Sequence, residues 1–525
     1  MLSRIWSAAL HGLEAYPVLV EADVGPGLAG FSTVGLPDMT VRESRERVIS
    51  ALRNSGLEFP LRRITVNLAP ADLRKEGSAF DLPIALGILA ASGQLPSNAA
   101  DGFVVLGELS LDGSLRPLRG AIALAQAAGG AAHANGRGST GDPLPCEAPM
   151  ARALLLPRAS AAEAALIPGA AVYGVDTLME AVEVLAGTRT VGRACAAAAA
   201  APGAIAAPDM AEVRGQFHAR RALEVAAAGG HNLLFTGPPG AGKTLLARCL
   251  PGILPALSPA EALEVTRIRS VAGLLSSGTG LVSARPFRAP HHTVSGAGLV
   301  GGGRGPRPGE ITLAHLGVLF LDELAEFPAH TLQLLRQPLE EGRVVISRVA
   351  SSVEFPARFM LVGATNPCRC GNFGNPDKPC KCTPLDVERY RASISGPILD
   401  RIDMEVPVPS VPLREMLARE PGEASECVRT RVEGARKAQW ARWRGCSART
   451  NAEIRPEPLL ARGQFDESAM ELAARCAEKL KLSARGYHRL LRTARTVADL
   501  AACEEVRAEH VAEAAGFRAT LTVRL

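Results

Sequence analysis

The sequence lacks a hydrophobic run long enough to cross a bilayer. It has 525 residues, of which 47% are hydrophobic. No apolar stretch reaches the roughly 18 residues that a membrane-spanning helix needs. A secretory signal is also missing, because His11 and Glu14 interrupt the first apolar stretch before a signal-peptide core can form. These two absences predict a cytoplasmic protein without a membrane partner.

A disulfide framework is missing as well. Most of the eleven cysteines are scattered singly, as is typical of buried or incidental thiols: Cys146, Cys195, Cys249, Cys427, Cys446, Cys476 and Cys503. The cytoplasm keeps such thiols reduced. No internal repeat of solenoid period is visible either. A chain of this length has room for about three or four domains whose cores need no cross-links.

The net charge gives little indication of a partner. It is +5, from 58 Lys and Arg against 53 Asp and Glu. Arginine far outnumbers lysine and alanine is abundant, so part of the basic bias can reflect nucleotide composition. Only a localised basic patch would indicate a nucleic-acid partner.

Residues 1–186 alternate short strand-like runs with helical ones. Strands are expected in YPVLVEADV, RITVNLAP and GFVVLGELSLDG, and an amphipathic helix in VRESRERVISALRNSG, ending at Gly56. Residues 129–149 have the composition of a flexible surface insertion. Residues 187–209 are rich in alanine and proline and are predicted to be an interdomain linker, although the alanine run could be helical.

The second half of the chain has a different pattern. Residues 210–410 alternate strands, loops and helices in the manner of an α/β domain with a parallel sheet. Residues 411–525 are almost wholly helical in pattern, most clearly in ESAMELAARCAEKLKLSARGYHRLLRTARTVADLAA.

The strongest motif is a phosphate-binding loop. The strand at 232–236 runs directly into a G-x-x-x-x-G-K-[ST] motif and a helix follows, which is the context that the motif requires. The loop consists of Gly237, Pro238, Pro239, Gly240, Ala241, Gly242, Lys243 and Thr244. Its glycines let backbone N–H groups approach the phosphates of ATP, and the helix N-terminus adds a favourable dipole. Lys243 is expected to reach the β- and γ-phosphates, and Thr244 to bind Mg²⁺.

Two later strands end in polar residues that complete such a site. GVLFLDEL ends in Asp322, which can hold Mg²⁺, and Glu323, which can polarise the attacking water. FMLVGATN ends in Asn366, which could orient the same water. An asparagine at a strand end is, however, often only a turn former.

Long segments of the chain resemble the ComM/YifB family, the Mg-chelatase-like AAA+ ATPases of bacteria. The resemblance is carried by VRGQFHARRALEVAAAGGHNLLFTGPPGAGKT, RPFRAPHHTVSGAGLVGGG, GEITLAHLGVLFLDEL, LLRQPLEEGRVVISR, ISGPILDRID and LSARGYHRLLRTARTVADL. It covers nearly the whole chain. It implies an α/β fold with an AAA+ P-loop ATPase core and a helical lid, with ATP and Mg²⁺ as cofactors. It also implies a homo-oligomeric ring, usually a hexamer, with each ATP between neighbouring subunits.

Two arginines take their expected roles from this resemblance. Arg401 in LDRID matches the arginine finger, which a neighbouring subunit supplies to stabilise charge on the γ-phosphate. Arg485 in LSARGYHR stands where these proteins carry the second sensor arginine. From the residues alone, Arg401 could equally form a surface salt bridge, and Arg485 could be a solvated charge on a lid helix.

Residues 64–128 resemble a second enzyme, the catalytic domain of Lon proteases, which has a ribosomal S5 domain 2-like α+β fold. The matching segments are RKEGSAFDLPIALGIL and LGELSLDGSLRPLRGAIALAQAA. Lon proteases use a serine activated by a nearby, partly desolvated lysine. Here Ala79 falls at the serine position, with Ser78 one residue early, and Ile122 falls at the lysine position. The domain is therefore expected to be an inactive scaffold without peptidase activity.

Two segments of the ATPase domain are candidates for the surface of a central pore. Residues 284–310 form an irregular insertion whose basic residues are Arg285, Arg288, His291, His292, Arg304 and Arg307. EEGRVVISRVASSVEFPARF is predicted to be a β-hairpin with a turn near residues 348–351. Related hexameric helicases carry a DNA-gripping hairpin in this position, so Arg343 and Arg348 join Arg285 and Arg288 as candidate DNA contacts. A solvated hairpin with only inter-subunit contacts is the alternative.

Four cysteines in NPCRCGNFGNPDKPCKCTP form two C-x-C pairs, Cys368 with Cys370 and Cys380 with Cys382. Thiolates select zinc or iron–sulfur, and a four-cysteine tetrahedron is the ordinary structural zinc site. C-x-C is tighter than the commoner C-x₂-C, so a redox switch stays open. The family resemblance includes the cluster and favours one structural Zn²⁺ per subunit, held by an insertion at 368–382. Such a clamp would fix the loop that leaves Asn366.

Three functions follow from these patterns. The first is a DNA-translocating motor, which in this family means a branch-migration helicase that extends incorporated single strands during natural transformation. Its partner would be single-stranded or branched DNA. The second is a chelatase- or chaperone-type ATPase that remodels a protein partner. The third, a non-enzymatic regulatory ring, is disfavoured because every catalytic element is present. Chelatase motor subunits generally lack the Lon-like domain and the cysteine cluster, which favours the first.

Overall fold

The computed structural model describes the chain from residue 1 to residue 518, with gaps. The residues not described within that span are 72, 74, 76, 130–152, 197–206, 277, 304–305, 349–350, 375–377, 395, 412–421 and 447. Nearly all of the insertion expected at 129–149, Arg304 and the side chain of Arg348 therefore lie outside the described residues. No helix among the described residues is both long enough and apolar enough to cross a membrane.

The amino-terminal region is built on a seven-stranded mixed sheet. The strands of this region are β1 (Leu2–His11), β2 (Glu14–Gly25), β3 (Gly30–Val34), β4 (Arg63–Ala69), β5 (Phe103–Val105), β6 (Glu108–Leu109), β7 (Leu115–Arg116), β8 (Ala153–Pro157) and β9 (Val172–Val175). The sheet order is β3-β4-β2-β1-β5-β8-β9, and β6 pairs with β7 outside it. Strand β2 is antiparallel to β1 and β4, whereas the remaining neighbours in the large sheet are parallel.

Five helices accompany this sheet in the described residues. They are α1 (Met39–Asn54), α2 (Asp81–Ser92), α3 (Ala121–Ala128), α4 (Arg158–Ala164) and α5 (Leu178–Leu185). Helix α1 is the predicted amphipathic helix and ends two residues before Gly56. The carboxylate of Asp38 caps its first turn by accepting the N–H of Val41 at 2.7 Å. Val41, Val48 and Leu52 share its buried face, as the helical spacing requires.

The single strand predicted over residues 102–113 is wrong. The chain forms β5, leaves the sheet, and then forms the short β6. At Gly107 the backbone forms two hydrogen bonds with residues at the start of α2. Its N–H donates to the carbonyl oxygen of Ala79 at 2.9 Å, and its carbonyl accepts the N–H of Leu82 at 3.0 Å. A Cβ at Gly107 would lie 2.9 Å from the Cβ of Leu82. Glycine at this position allows the close approach that interrupts the strand.

The second region contains the parallel sheet that the sequence predicts. Its strands are β10 (Leu233–Thr236), β11 (Phe287–Arg288), β12 (Gly301–Gly302), β13 (Arg307–Pro308), β14 (Val318–Leu321), β15 (Arg343–Arg348), β16 (Ser351–Pro356), β17 (Met360–Thr365) and β18 (Met404–Pro407). Five of them form a sheet in the order β11-β14-β17-β10-β18, with all neighbours parallel. The carboxyl ends of these strands therefore share one edge, where β17 lies between β10 and β14.

Short and long helices surround this sheet. They are α6 (Phe217–Gly229), α7 (Lys243–Ile253), α8 (Pro259–Ala272), α9 (Gly296–Val300), α10 (Glu310–Leu313), α11 (Ala329–Gln333), α12 (Arg336–Glu341), α13 (Pro384–Ser393) and α14 (Gly396–Leu399). After β18 the described residues are helical, as predicted. These helices are α15 (Ser425–Arg442), α16 (Pro456–Arg462), α17 (Glu467–Lys479), α18 (Ala484–Leu500) and α19 (Ala508–Gly516).

The predicted hairpin is present as β15 and β16, which pair antiparallel over residues 343–348 and 351–356. Its base is buried against the amino-terminal region. Leu13, in the turn between β1 and β2, belongs to the same apolar cluster as Val353 and Phe355. The hairpin is thus fixed at its base by both regions of the chain.

Candidate functional site

The phosphate-binding loop connects β10 to α7, and each motif glycine has a geometric reason. Gly240 and Gly242 have φ angles of 77° and 88°. These are left-handed conformations in which residues with a Cβ are strained. A Cβ at Gly237 would lie 2.0 Å from the carbonyl oxygen of Val408. The loop therefore exposes its backbone at the carboxyl edge of the sheet, with the amino end of α7 behind it.

The side chain of Lys243 is hydrogen-bonded to the phosphate-binding loop. Its Nζ donates to the carbonyl oxygens of Gly237 at 2.6 Å and Pro238 at 2.9 Å, and to Asn366 Oδ1 at 3.1 Å. Burial lowers the pKa of Lys243, and the carboxylates of Asp322 and Glu323 oppose that shift. The ammonium group thus lies where phosphate oxygens could replace the carbonyl partners.

Thr244 and Asp322 lie together at the same edge. The hydroxyl of Thr244 donates to Asp322 Oδ2 at 2.8 Å. Two hard oxygen ligands side by side are the donor set that Mg²⁺ prefers, so these residues fit the ion that the phosphate loop requires. Because β17 lies between β10 and β14, Asn366 enters the space between Lys243 and Asp322.

Glu323 has a backbone conformation that non-glycine residues rarely adopt. Its φ and ψ angles are 51° and 49°, and its N–H donates to Asp322 Oδ1 at 3.0 Å. Its Oε2 lies 3.6 Å from Nδ1 of His292. The ring of His292 in turn meets the ring of Phe327 edge to face. The sequence contained both segments, but only the adjacency of β11 and β14 brings His292 to Glu323.

Two further polar residues at the nucleotide site were not predicted. The side-chain amide of Gln216 donates to the carbonyl oxygens of Ala241 at 3.3 Å and Pro409 at 2.6 Å. It therefore braces the phosphate loop against the end of β18. The hydroxyl of Thr236, the last residue of β10, donates to Glu405 Oε1 at 3.0 Å. Neither contact has a sequence signal, since both depend on the order of the strands.

Arg401 and Arg485 lie at the opposite edge of the sheet. Asn232 immediately precedes β10, and its side-chain amide donates to the carbonyl oxygen of Arg401 at 2.9 Å. Lys243 follows the other end of β10, roughly 13 Å away for four residues of extended strand. Arg401 and Arg485 both contact the carboxylate of Glu340, the latter at 3.8 Å. The structure thus brings these two arginines together, but away from the phosphate loop of their own chain.

A large cleft opens beside these arginines. Its volume is about 1480 Å³, and arginines outnumber carboxylates along its walls. Arg401 and Arg485 line it, together with Arg489 and the exposed Trp440 of α15. This edge of the sheet therefore borders a cleft whose walls carry more arginines than carboxylates.

Two of the candidate DNA contacts are occupied within the fold. The guanidinium of Arg285 donates to the carbonyl oxygens of Pro255 at 2.6 Å and Leu316 at 2.8 Å. Arg288 forms a bidentate pair with Glu310, at 2.6 and 2.7 Å. A phosphate contact by either arginine would have to displace these partners.

Arg343 is more accessible. It lies on the hairpin, about half exposed, between the carboxylates of Glu341 and Glu354, each at 3.0 Å. Ion pairs between such exposed groups contribute little stability and exchange readily. Of the three candidate arginines with described side chains, Arg343 is the one that a phosphate could reach with least rearrangement.

The four clustered cysteines converge on one point. Their sulfur atoms all lie within 4.8 Å of one another. Sγ of Cys368 is 3.4 Å from that of Cys370 and 3.7 Å from that of Cys380. The edge of a tetrahedron with Zn–S bonds of ~2.3 Å is about 3.8 Å, so the spacing fits four-coordinate zinc. The thiols of the cluster differ in pKa. Backbone N–H groups of Lys381 and Asn372 lower the pKa of Cys370 to about 6. The Cys382 N–H also lowers the pKa of Cys380, but burial and hydrogen bonds with the neighbouring thiols outweigh this effect and raise that pKa to about 12.

The region that resembles Lon proteases has no serine–lysine pair at the expected positions. The hydroxyl of Ser78 donates to the carboxylate of Glu108. Ile122, at the expected lysine position, is fully buried in α3. An alkyl side chain at the expected lysine position cannot act as the base that Lon proteases use.

Comparison with protein families agrees with this geometry. A model described as magnesium chelatase, subunit ChlI, matches residues 209–416, which contain the parallel sheet. A model described as subunit ChlI of Mg-chelatase matches residues 20–135, and one for its carboxyl-terminal part matches residues 422–518.

Individual relatives match along nearly the full length. An uncharacterized protein of Mycobacterium tuberculosis is 43% identical over 521 residues, covering 99% of both chains. The competence protein ComM of Haemophilus influenzae is 40% identical over 524 residues, covering 99% of this chain and 97% of its own. YifB of Escherichia coli is 41% identical over 522 residues with the same coverage. The chain therefore belongs to the ComM/YifB family of Mg-chelatase-like proteins.

Proposed function

We propose that this protein is an ATP-hydrolysing, ring-forming AAA+ motor that acts on DNA, as a branch-migration helicase that promotes integration of incoming DNA in natural transformation. The likeness to the competence protein ComM supports action on incoming DNA, and one structural observation carries the ring-forming ATPase. Lys243 and Asp322 lie at one edge of the parallel sheet, whereas Arg401 and Arg485 lie at the other. A site with all of these groups forms only when the edges of two copies meet. In a closed ring, which we take to be a hexamer, the carboxyl edge of every subunit meets the amino edge of its neighbour.

Within one subunit, the residues at the carboxyl edge have different roles in ATP hydrolysis. Lys243 exchanges its carbonyl partners for phosphate oxygens, and Asn366 orients the attacking water. Thr244 and Asp322 hold Mg²⁺, which when bound neutralises charge on the phosphates. Glu323 polarises the water, since its carboxylate is exposed next to Asp322.

The neighbouring subunit supplies the remaining positive charge. Arg401 is the proposed finger that stabilises charge on the transferred phosphoryl group, an effect worth roughly 10³–10⁵ in rate in related enzymes. Arg485, at the start of α18, is the proposed second sensor. Both side chains contact Glu340, which supports their action on one ligand.

The other structural assignments belong to the same proposal. The divisions are an inactive Lon-protease-like domain at 1–186, a linker at 187–209, the ATPase domain at 210–410 and a lid at 411–525. The cysteine cluster holds one structural Zn²⁺ with no open coordination position. The hairpin grips DNA phosphates through Arg343 and Arg348, and the subunits work in the cytoplasm.

ATP hydrolysis in the presence of DNA tests the proposal. We expect forked or single-stranded DNA to raise the hydrolysis rate of the wild-type protein, and the double variant Arg343→Ala/Arg348→Ala to lose DNA affinity while its ATP affinity is unchanged. The log–log salt dependence of duplex binding should flatten by about 0.9 for each phosphate contact removed. The matched control is Arg475→Ala/Lys479→Ala on α17, where both side chains are exposed. Equal DNA binding by the hairpin variant across the salt series would contradict a gripping hairpin.

A chelatase- or chaperone-type ATPase that remodels a protein partner is the second candidate. The three matching family models, which bear the name of a chelatase subunit, favour it. The amino-terminal region matches one of these models, so its presence does not separate the two functions. Hydrolysis that no DNA structure changes, but that a partner protein stimulates, would support this candidate instead.

A further inference from the structure

Asn232 joins the start of β10 to the segment that carries Arg401. Its side-chain Nδ2 donates to the carbonyl oxygen of Arg401 at 2.9 Å, and its Oδ1 accepts the N–H of Leu361 at 2.9 Å. Leu361 is the second residue of β17, and Arg401 lies between α14 and β18. One half-buried side chain therefore connects the segments at the amino ends of three adjacent strands, β17, β10 and β18.

The main chain of Asn232 adds to the same connection. Its N–H donates to Oδ2 of Asp403 at 2.9 Å, and its carbonyl oxygen accepts the N–H groups of Asp403 at 3.0 Å and Met404 at 3.1 Å. Asp403 is buried, and its Oδ1 lies 3.3 Å from Nε of Arg489. The segment that begins with Arg401 therefore cannot shift along β10 without breaking several of these bonds.

The main chain of Arg401 is fixed on both sides of its Cα. Its N–H donates to the carbonyl oxygen of Ile398 at 2.8 Å, in the turn that follows α14. Ile398 and Ile402, which flank it, are fully buried. The bond from Asn232 fixes the carbonyl group of Arg401. The side chain of Arg401 thus starts from a point that its N–H, its carbonyl oxygen and two apolar neighbours all determine.

Asn232 is nevertheless remote from the nucleotide of its own subunit. It precedes β10, whereas the phosphate-binding loop follows the other end of that strand at Gly237. Four residues of extended strand separate these two ends by roughly 13 Å. A change in the side chain of Asn232 therefore alters the surroundings of Arg401 and leaves the contacts of Lys243 in place.

From these contacts we infer that Asn232 is a positioning residue for the ATP site of the neighbouring subunit. It acts through the main chain of Arg401 and touches no nucleotide itself. A misplacement of about 1 Å can cost a reacting site about a hundredfold in rate, so a fixed origin for the finger matters. The inference rests on the proposed function, because it requires an arginine that completes a neighbour's site.

Two substitutions isolate the bond to Arg401. Asn232→Asp keeps the size of the side chain and an acceptor for the N–H of Leu361, but its carboxylate cannot donate to the carbonyl of Arg401. Asn232→Ala removes both bonds and adds no charge. For either variant of the full chain we expect kcat to fall by about tenfold to a hundredfold, while the KM for ATP stays within about twofold. A KM that rises with an unchanged kcat would contradict the inference.

Mixed rings show which ATP site carries the defect. An Asn232→Asp subunit has an intact carboxyl edge, so Lys243→Ala subunits, whose amino edge is intact, should restore hydrolysis. Arg401→Ala subunits should restore none, because both partners then lack a functional amino edge. If Asn232 acted through β10 on its own phosphate loop, Arg401→Ala subunits would restore hydrolysis and Lys243→Ala subunits would not. That pattern, or equal behaviour of the two mixtures, would overturn the inference.

Gln439→Ala is the matched control for the loss of such a pair of bonds. On α15, Nε2 of Gln439 donates to the carbonyl oxygen of Ala228 at 3.0 Å, and its Oε1 accepts the N–H of Asn451 at 2.9 Å. This substitution should lower the Tm, as Asn232→Ala does, but kcat should stay within about twofold of the wild type. An equal loss of kcat in the two variants would mean that Asn232 has only a structural role.

The mixture of Arg401→Ala with Lys243→Ala separates this inference from the function on which it rests. If that mixture recovers no hydrolysis, the ATP site is not shared between subunits, and the proposed function and the inference fail together. If it recovers hydrolysis but the mixture of Asn232→Asp with Lys243→Ala does not, only the positioning role of Asn232 fails.

Discussion

Gly371 lies directly against Pro239. A Cβ added to Gly371 would come within 2.5 Å of Cδ of Pro239, and the glycine has a φ of 78°. Gly371 follows the first cysteine pair, and Pro239 belongs to the phosphate-binding loop. The cysteine cluster and the nucleotide site are therefore in contact through this pair of residues.

Substitution of Gly371 by alanine should weaken ATP binding. The methyl group strains a left-handed backbone by about 1–2 kcal/mol and adds an overpacking cost of about 1–3 kcal/mol against Pro239. We expect the KM for ATP to rise at least about fivefold, from the overpacking alone. Gly374→Ala is the control, because Gly374 has a similar φ of 74° but nothing within 4 Å of an added Cβ. Equal KM values for the two variants would show that the contact does not matter for binding.

The cysteine cluster should hold about one zinc per subunit. Elemental analysis of protein purified without chelator measures this directly. Cys380→Ser should lose the metal and lower the Tm and the integrity of the ring before it affects nucleotide binding, because three ligands leave the tetrahedron open. Cys427→Ser, at an exposed isolated cysteine, should do neither. Metal far below one equivalent in the wild type, with the four clustered thiols freely titratable, would favour the redox alternative.

Two residues at the carboxyl edge of the sheet, Lys243 and Glu323, should respond differently to substitution. Lys243→Ala should abolish nucleotide binding or turnover, because it removes the positive charge that binds the phosphates. Glu323→Gln should bind ATP and retain it unhydrolysed, since an amide cannot polarise water as a carboxylate does. Filter retention of labelled ATP and phosphate release measure the two effects. Hydrolysis by Glu323→Gln at the wild-type rate would mean that another group activates the water.

His292 should position Glu323 without contacting ATP. Its Nδ1 lies 3.6 Å from Glu323 Oε2, and its ring is fixed by the edge of Phe327. We expect His292→Ala to lower kcat by about twofold to fivefold while the KM for ATP stays within about twofold, because a contact between partly exposed groups is worth up to about 1 kcal/mol. His292→Asn, which keeps a polar group, should recover part of the loss. His330→Ala, at an exposed histidine of α11, serves as the control, and a change confined to KM would argue against the assignment.

Much of the nucleotide site could be predicted because a short stretch of sequence is enough to indicate each of its elements. Glycines in the phosphate loop precede a helix, and Asp322 and Asn366 each follow a short apolar strand. Parallel strands place their carboxyl ends at one edge, so these side chains were expected to meet, and Lys243 contacts Asn366 at 3.1 Å. The hairpin at 343–356 was also predictable, from its alternating apolar residues.

The contacts that join separate segments could not be predicted. Gly371 meets Pro239, and Glu340 holds Arg401 and Arg485, only because of the strand order and the packing of α12. Local patterns also misled at residues 102–113, where tertiary hydrogen bonds of Gly107 override a continuous β pattern. Sequence spacing specifies which groups exist, whereas packing decides which of them share a site.

Mixing two inactive variants tests most directly whether the ATP site is completed across a subunit boundary. Arg401→Ala lacks the group at the amino edge, and Lys243→Ala lacks the group at the carboxyl edge. In a mixed ring, some boundaries pair the intact carboxyl edge of an Arg401→Ala subunit with the intact amino edge of a Lys243→Ala subunit. We predict that each variant alone assembles but hydrolyses ATP poorly, and that mixtures recover hydrolysis with a maximum near equal proportions. No recovery at any ratio, in rings shown to contain both variants, would contradict an arginine supplied by the neighbour.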